Sequence, residues 1–388
     1  MENMKMAHIK KVINQILDSG VRHDIEVLSM IYHVGQKFRS TSHMSQFIAM
    51  IIGQVGHYTS LRQIETAMKE NDSALYHLGC TPIPRTTLAR LNENQPCELY
   101  RELFERLLKR VEKYAIQNHL KSKKDRHKLQ ELEQLILIDA TTIDLCLSQY
   151  EWAEFRKTKA GIKLHVELSA DGYLPVRVQM TNANIHEKNC ASSMQYERGQ
   201  TLCFDRGYND YQWFQKLTDE GVFFVTRLKK NAVYTNQKKK PGRKPKNINS
   251  DSRITLNSES RFRLVEYIDP DSKKAYRFLT NRMDLSAQAI ADIYKERWQI
   301  ELFFKWIKQN LKIQRFVGRS RNAVKTQIWI ALCIYLLLSF LKFKYKCSQS
   351  ITEILLWVRI NLFSSKNIEE YLRPEIKIIL YDQQLSLF

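Results

Sequence analysis

The chain has 388 residues, 44% of them hydrophobic, which is enough for two or more globular domains with a sizeable core. Its 61 lysines and arginines against 41 aspartates and glutamates give a formal net charge of +20, which favours a polyanionic partner, nucleic acid first, over a merely basic protein. Seven cysteines without a C-x-x-C pair indicate neither a zinc ribbon nor a disulfide framework, and a reducing cytoplasm fits.

The sequence predicts no membrane segment. MENMKMAHIKKVI at the N-terminus lacks an apolar core long enough for a signal peptide. The most apolar run, IWIALCIYLLLSFL at 328–341, is about fourteen residues long, short of the ~20 that cross a bilayer. We expect a buried helix there and a cytoplasmic protein, nucleoid-associated when it is bound to DNA.

Residues 1–128 are predicted to form a helical N-terminal DNA-binding domain, because apolar residues recur at three- and four-residue spacing with few glycines or prolines. Ser60 can cap the helix SLRQIETAMKE, and a second short helix can begin near Thr86 in PRTTLARLNEN. The pair could be a helix-turn-helix-like DNA reader or two helices that only pack, and both interpretations stay open. In the first case the residues near the groove are Arg85, Thr86, Thr87 and Arg90.

A charged linker, KSKKDRHK at 121–128, is followed by a change from helical to extended periodicity. Strands and helices then alternate, which predicts an α/β domain over 129–345. Its strands are expected in QLILIDATTIDLCL, GIKLHVELS, YLPVRVQMT, TLCF and VFFVTRL, with a turn at Ala170-Asp171-Gly172, a helix-compatible piece over 186–198 and a helix in YQWFQKLTDEG.

A β-rich insertion is predicted over about 221–285. It contains a basic loop, KKKPGRKPKNINSDS at 238–252, and three strands in RITLN, RFRLVEYID and AYRFLTNRM. Helical periodicity resumes over 286–314, and a helical C-terminal region, 346–388, could support dimerisation.

Four polar residues follow one side of the helix predicted over 286–314. At about 100° per residue, Tyr294, Arg297, Glu301 and Lys308 share an arc of roughly 60° beside the apolar face, with Lys305 flanking them. The stripe rises about 21 Å, comparable to about six base pairs, so it could hold a carboxylate at one phosphate and basic groups at its neighbours. Taken alone, the spacing favours a solvated face with i,i+4 ion pairs over a functional stripe.

Two further acids favour the functional interpretation. Asp139 ends the apolar run LILI and Asp205 follows LCF, and an acid that closes a buried strand lies at the sheet edge where ligands bind. With Glu301 they make a possible three-carboxylate cluster, and packed carboxylates repel unless a divalent cation such as Mg²⁺ holds them. Asp144 and Asp210 compete for this role but lie beyond their apolar runs. The predicted chemistry is phosphoryl transfer on a nucleic acid.

These blocks resemble the prokaryotic DDE transposases of the insertion-sequence-four family, whose hallmark is Y-x2-R-x3-E-x6-K. Tyr294, Arg297, Glu301 and Lys308 match that spacing. The blocks DATTIDL and DRGY around the two aspartates, and GIKLHVEL between them, extend the likeness over about residues 60–340.

The resemblance implies a ribonuclease H-like catalytic core and a homodimer that binds terminal inverted repeats of double-stranded DNA. Asp139, Asp205 and Glu301 would hold two Mg²⁺ ions, or Mn²⁺ as a substitute, for cleavage of the element ends and joining of the 3′ ends to target DNA. Tyr294, Arg297 and Lys308 would contact DNA near the cleaved end.

The resemblance also implies a hairpin intermediate, for which relatives use a tryptophan of the β insertion. Residues 221–285 contain no tryptophan. An aromatic residue that stacks on a base would have to replace it, and the candidates are Phe223, Tyr234, Tyr267, Tyr276 and Phe278. Trp298 is expected to pack or to contact the DNA backbone instead.

Two other functions remain open on the sequence: a transposase-derived DNA-binding regulator without catalysis, and a ribonuclease H-like nuclease without strand transfer. The retained carboxylates argue against the first. His165 and the cysteines lack the context of a nucleophilic triad, so we expect them to be structural.

Overall fold

The computed structural model describes residues 10–119, 134–185, 187–239, 247–256, 260–311, 313 and 315–373. The described chain is mixed α/β, with a large sheet in its middle part and helices before and after it. Its contacts divide it into two compact units, residues 1–121 with 306–388 and residues 122–305. The linker and boundary predicted over 121–128 lie outside the described residues.

The helices are numbered in chain order. They are α1 (Val12–Leu17), α2 (Val21–Tyr32), α3 (His43–Val55), α4 (Leu61–Glu70), α5 (Asp72–Tyr76), α6 (Arg85–Asn94), α7 (Glu98–His119), α8 (Glu187–Ser192), α9 (Tyr211–Asp219), α10 (Ala287–Glu296), α11 (Trp298–Asn310), α12 (Arg321–Tyr345), α13 (Ile351–Asn361) and α14 (Ile368–Leu372).

The strands are numbered likewise. They are β1 (Leu135–Leu145), β2 (Glu154–Arg156), β3 (Lys159–Ser169), β4 (Pro175–Asn182), β5 (Thr201–Phe204), β6 (Phe223–Arg227), β7 (Tyr234–Lys239), β8 (Ile248–Leu256), β9 (Ser260–Ile268) and β10 (Ala275–Thr280).

Helix α12 is the core of the helical unit. It is long and apolar enough to cross a membrane by length and composition, yet 89% of its most apolar window is buried inside the protein. A helix that is apolar on all sides must be covered on all sides, and α12 packs against α7, α3, α6 and α13. The predicted buried helix is therefore confirmed. By its contacts the segment 306–345 groups with the N-terminal helices, whereas the sequence analysis assigned it to the α/β domain.

The second unit is built on one ten-stranded sheet. Its order is β2-β3-β1-β5-β6-β10-β9-β8-β7, with β4 paired to β3. Strands β1, β5 and β6 are mutually parallel, and the other pairings are antiparallel. Because the parallel strands are covered on both faces, their apolar runs LILI, TLCF and FFV are nearly continuous, as expected for buried strands.

The β-rich insertion extends the same sheet. Strand β10 pairs with β6, and β9, β8 and β7 follow outward. The sequence NINSDS, predicted as part of a basic loop, instead lies largely in β8, which pairs with β9 over its whole length. Polar cross-strand contacts explain how this stretch is a strand: Ser250 and Asn249 both donate to Glu266 of β9. Residues 240–246 of the predicted loop lie outside the described residues.

The helix predicted over 286–314 is interrupted at Arg297. Helix α10 ends at Glu296, and α11 begins at Trp298. The N–H groups of Arg297 and Ile300 bond to carbonyls three residues back, those of Tyr294 and Arg297, which is the tighter 3₁₀ pattern. The break contains neither proline nor glycine. The polar stripe is thus divided, with Tyr294 near the end of one helix and Glu301 in the first turn of the next.

Candidate active site

Asp139 and Asp205 lie side by side at one edge of the parallel strands. The parallel pairing of β1 with β5 stops at Ile138 and Phe204, and each aspartate is the next residue. Asp139 does not end its strand, contrary to the prediction, because β1 continues to Leu145 in an antiparallel pairing with β3. It nevertheless lies where its parallel neighbour ends, so both acids occupy the predicted carboxyl edge.

Asp139 is a partly buried acid with one cationic neighbour. Burial raises its pKa to about 6, although the N–H of Ala140 and the charge of Arg297 act in the opposite direction. The Ala140 N–H donates to Asp139 Oδ1 at 2.8 Å, and Arg297 Nη1 lies 3.5 Å from Oδ2. The charges of Glu187 and Asp205 push the same pKa further upward. A cation at this carboxylate would therefore relieve an unfavourable negative charge.

Asp205 has stronger partners. Arg227 Nη2 donates to Asp205 Oδ1 at 2.9 Å, and the Tyr294 hydroxyl donates to the same oxygen at 3.3 Å. Burial pushes the pKa of Asp205 upward, but the hydrogen bond from Arg227, the N–H of Arg206 and the charges of Arg227 and Arg297 outweigh it, so the pKa lies below its ordinary value.

Glu301 joins this site through Arg297. Arg297 Nη2 donates to Glu301 Oε1 at 2.6 Å, so one guanidinium bridges Glu301 and Asp139. The i,i+4 pair foreseen in the sequence is present, yet it is not a solvated surface pair, because the Arg297 side chain is only 13% exposed. All three predicted acids therefore pair with arginines: Asp139 and Glu301 with Arg297, and Asp205 with Arg227.

The ring of Tyr294 lies between two guanidiniums. Arg227 and Arg297 approach it with 5.6 and 5.5 Å from guanidinium carbon to ring centroid, and the Phe278 ring packs on it at 4.8 Å. Burial raises the pKa of the Tyr294 hydroxyl above its ordinary value. A cation near an aromatic face is stabilised by the ring, so Tyr294 helps to fix both arginines over the acids.

Arg227 is a site residue that the sequence reasoning missed. It is the last residue of β6, the parallel strand next to β5. The signal was present in VFFVTRL, where a charged residue follows a buried apolar run, as Asp139 and Asp205 do.

Other predicted residues lie apart from this group. Lys305 is exposed and Lys308 is half-buried, and both lie further along α11, Lys308 about 10 Å beyond Glu301 along the axis. Trp298 is 56% exposed, so it is not a core packing residue. Of the rival acids, Asp144 is exposed, and Asp210 caps α9 by accepting from the N–H groups of Gln212 and Trp213.

The predicted helical pair is present in the other unit. The Ser60 hydroxyl caps α4, and α6 begins at Arg85 and packs against α4. Glu65 of α4 accepts from the Arg85 N–H at 3.3 Å, which satisfies a donor at the start of α6. The side chains of Arg85 and Arg90 are exposed.

The five aromatic candidates for base stacking differ in exposure. Tyr267 and Phe278 are buried. Phe223, Tyr234 and Tyr276 are half-buried, and the guanidinium of Arg282 covers the Phe223 ring at 4.3 Å. Stacking on an unpaired base requires an accessible ring face, which leaves Tyr234 and Tyr276 as the better placed of the five.

The acids suit a hard divalent cation in chemistry, since all donors are carboxylate oxygens. Among the described residues no three acidic, histidine or cysteine side chains already converge on one point for an ion. Arg297 lies between Asp139 and Glu301, and Arg227 holds Asp205, so the arginines supply the positive charge. The Nε atoms of both arginines are buried without a partner among the described residues. The donor chemistry therefore suits a divalent metal, while in this structure Arg227 and Arg297 pair with the carboxylates.

Comparison with known proteins identifies the family of the chain. The family model described as "Transposase DDE domain" matches residues 130–337, more than half of the chain. The chain belongs to this family. A second family model, described as "Domain of unknown function (DUF4372)", matches residues 8–81 ahead of the DDE domain.

Three proteins named as transposases are similar in sequence to this chain. A putative transposase, y4zB, of Sinorhizobium fredii is 35% identical over 216 residues, covering 53% of this chain and 60% of the relative. A probable transposase for insertion sequence element IS5377 of Geobacillus stearothermophilus is 30% identical over 228 residues, covering 57% and 60%. A putative transposase for insertion sequence element IS4SA of Synechocystis is 26% identical over 301 residues, covering 76% and 81%. The match thus spans 60% of the length of the first two relatives.

Among solved structures, the cryo-EM structure of a piggyBac transposase synaptic complex with hairpin DNA superimposes with a TM-score of 0.46 at 11% identity, covering 94% of this chain and 82% of the other. This degree of likeness does not establish a common fold.

Proposed function

We propose that this protein is the DNA transposase of an insertion sequence, related to the insertion-sequence-four family. The observation that carries the proposal is the meeting of Asp139, Asp205 and Glu301 around Arg297 and Arg227 at one sheet edge. The strand order β4-β3-β1-β5-β6, with both aspartates on adjacent parallel strands, supports a ribonuclease H-like core. Membership of the DDE domain family supports the reaction class.

Asp139, Asp205 and Glu301 would hold two divalent cations, Mg²⁺ or Mn²⁺. When bound, such ions lower the pKa of an attacking hydroxyl and stabilise the leaving 3′ oxygen in an in-line displacement. The protein's own contribution is to hold the acids at one edge of a rigid sheet. Burial of Asp139 also favours cation binding, because a buried carboxylate is unfavourable in its charged form unless a cation lies beside it. The reaction is cleavage at the element ends followed by joining of the 3′ ends to target DNA.

Arg297 and Lys308 would contact DNA phosphates near the cleaved end. Arg297 is now engaged by two carboxylates, so a cation bound to those acids would release its guanidinium for a phosphate. The Tyr294 hydroxyl donates to Asp205 here, and it would turn to a phosphate only when that carboxylate acquires another partner.

Arg85 and Arg90 on α6 are proposed to contact the terminal inverted repeats, with α4 as the supporting helix. Their side chains are exposed on the second helix of a short helical pair, and the net charge of +20 favours DNA. A homodimer on paired ends, and a hairpin intermediate served by Tyr234 or Tyr276, complete the proposal.

The test is strand cleavage on DNA that carries the inverted repeats flanking the gene. Asp139→Ala, Asp205→Ala and Glu301→Ala should each abolish Mg²⁺-dependent cleavage while a mobility shift shows largely intact binding. Asp144→Ala, which removes an exposed acid of the same strand, is the matched control and should cleave normally. Mg²⁺-dependent nicking that survives in the three variants would overturn the assignment.

Two outcomes identify the rival functions. A mobility shift without cleavage by the unaltered protein in Mg²⁺ or Mn²⁺ would indicate a DNA-binding regulator. Cleavage without joined product, when pre-cut ends are offered with target DNA, would indicate a nuclease without strand transfer.

A further inference from the structure

Glu187 lies close to the candidate active site although it was not among the predicted site residues. It is the first residue of α8, which packs against β1 and against the short turn Arg206–Tyr208 that follows Asp205. Glu187 Oε2 is 3.6 Å from the position that a Cβ on Gly207 would occupy. The carboxylate is therefore at the turn directly after one catalytic aspartate.

Glu187 also lies close to β1. It lines one small cavity together with Ile138, the residue before Asp139, and with Tyr208 of the turn after Asp205. On its other side Glu187 Oε1 lies 3.5 Å from Lys163 Nζ, and that ammonium also donates to the Ile185 carbonyl at 3.0 Å. Glu187 is thus held in place by a lysine that has its own backbone anchor.

A small cavity with a mostly apolar lining lies beside Glu187, and two of its buried polar atoms have no hydrogen-bond partner among the described residues. The lining residues include Ile138, His165, Glu187, Cys190 and Tyr208. The Tyr208 hydroxyl and His165 Nδ1 have no hydrogen-bond partner among the described residues, and Tyr208 is only 1% exposed. Buried hydroxyl and imidazole groups are almost always satisfied, by protein or by ordered water. Ordered water in this cavity, next to the Glu187 carboxylate, would supply the missing hydrogen bonds.

We propose that Glu187 is a fourth acidic residue of the active site, which accepts hydrogen bonds from the water shell of a divalent cation held by Asp139. The inference rests on the proposed function, since it requires Asp139 to bind a metal. Mg²⁺ and Mn²⁺ sites commonly retain several waters, and acceptors for those waters contribute to metal affinity. The Tyr208 hydroxyl would find its missing partner in the same water layer.

The test measures Mn²⁺ binding to the full-length protein without DNA, by electron paramagnetic resonance of free Mn²⁺, so that it does not depend on catalysis. Glu187→Gln should raise the Kd for Mn²⁺ about tenfold, the lower end of the effect of losing an outer-shell partner. Glu187→Asp keeps the charge and should lose less affinity. Glu197→Gln, an exposed glutamate of the same connecting segment, is the matched control and should bind as the unaltered protein does.

Asp139→Asn in the same titration distinguishes failure of the proposed metal site from failure of the proposed role of Glu187. If Asp139→Asn leaves Mn²⁺ affinity unchanged, the proposed metal site itself fails. If Asp139→Asn weakens binding while Glu187→Gln, folded by circular dichroism, binds as tightly as the unaltered protein, the role of Glu187 is overturned and its pairing with Lys163 is only structural.

Discussion

Arg297 donates a 2.6 Å hydrogen bond to Glu301, one turn further along the chain, while its other terminal nitrogen lies 3.5 Å from Asp139. The guanidinium thus supplies the positive charge that two acids at one sheet edge require. A second arginine, Arg227, does the same for Asp205. We infer that arginines and divalent cations are alternative partners for these carboxylates, so that binding of a metal frees the guanidiniums for phosphates.

Removal of Arg297 should make stability dependent on divalent cations. In Arg297→Met the carboxylates of Asp139 and Glu301 lose their shared partner, and we expect a loss of about 1–3 kcal/mol in the presence of a chelator, since the group is mostly buried and charged. Added Mg²⁺ should raise the thermal unfolding midpoint more in this variant than in the unaltered protein, because the ion replaces the missing charge.

Arg101→Met provides the control for the Arg297 variant. Arg101 forms an exposed pair with Glu105 at 4.0 Å on α7, and such pairs contribute about 0–1 kcal/mol. Its midpoint should shift little and should respond to Mg²⁺ as the unaltered protein does. If Mg²⁺ raises the unfolding midpoint equally in Arg297→Met and in the unaltered protein, then arginine and metal are not alternative partners of these carboxylates.

Most of the site residues could be predicted from the sequence because they are marked by short patterns of neighbouring residues. Asp139 and Asp205 each follow a short apolar run, and the strands carrying them formed where the runs predicted. Glu301 was found through its spacing from Tyr294 and Arg297, and it pairs with Arg297 although the predicted single helix is broken at that residue.

What escaped the sequence depends on contacts between distant residues. Arg227 faces Asp205 only because β6 lies beside β5, and Glu187 approaches Asp139 only through the packing of α8. The break at Arg297 has no proline or glycine to announce it. The grouping of α12 with the N-terminal helices follows from which surfaces cover it, and apolar periodicity does not specify the partner of a buried helix.

Arg263 should be essential for the stability of the sheet-containing unit. Its side chain is 2% exposed and pairs with Asp251 through two 2.8 Å hydrogen bonds, and it also donates to the carbonyls of Arg282 and Leu285, just before α10. Removing one partner of a buried pair leaves an uncompensated charge, so Arg263→Met should cost about 3–5 kcal/mol in the free energy of unfolding by urea.

The exposed Arg261 of the same strand is the control for Arg263, and Arg261→Met should change the free energy of unfolding by less than about 0.5 kcal/mol. The double variant Arg263→Met with Asp251→Leu should recover part of the loss, since no unpaired charge then remains. A small effect of Arg263→Met alone would show that the pair does not hold the start of α10.

Acid should destabilise the protein partly through His165. Burial lowers the pKa of this imidazole to about 4 from an ordinary value of 6.5. Between those values the unfolded chain binds the proton and the folded one does not, so the stability is fully present above pH 6.5 and is lost as the pH falls towards 4. At about 1.4 kcal/mol per pKa unit, the loss is about 3 kcal/mol.

The measurement for His165 is urea unfolding at pH 7 and at pH 4.5, in chelator, for the unaltered protein and for His165→Gln. The variant lacks the titrating group, so its free energy of unfolding should fall by less over this range. Parallel losses in both proteins would show that His165 does not contribute to acid sensitivity.

Arg85 and Arg90 should contribute to DNA affinity and to its dependence on salt concentration. Each exposed side chain that neutralises a phosphate releases counterions, so Arg85→Gln and Arg90→Gln should each weaken binding to inverted-repeat DNA and reduce the slope of log Kobs against log salt by about 1. Affinity measured by fluorescence anisotropy at several salt concentrations gives the slope.

Arg101→Gln, on α7 outside the α4–α6 pair, is the control and should leave the slope unchanged. If Arg85→Gln and Arg90→Gln also leave the slope unchanged, α4 and α6 are a packed helical pair and the DNA is read by another surface.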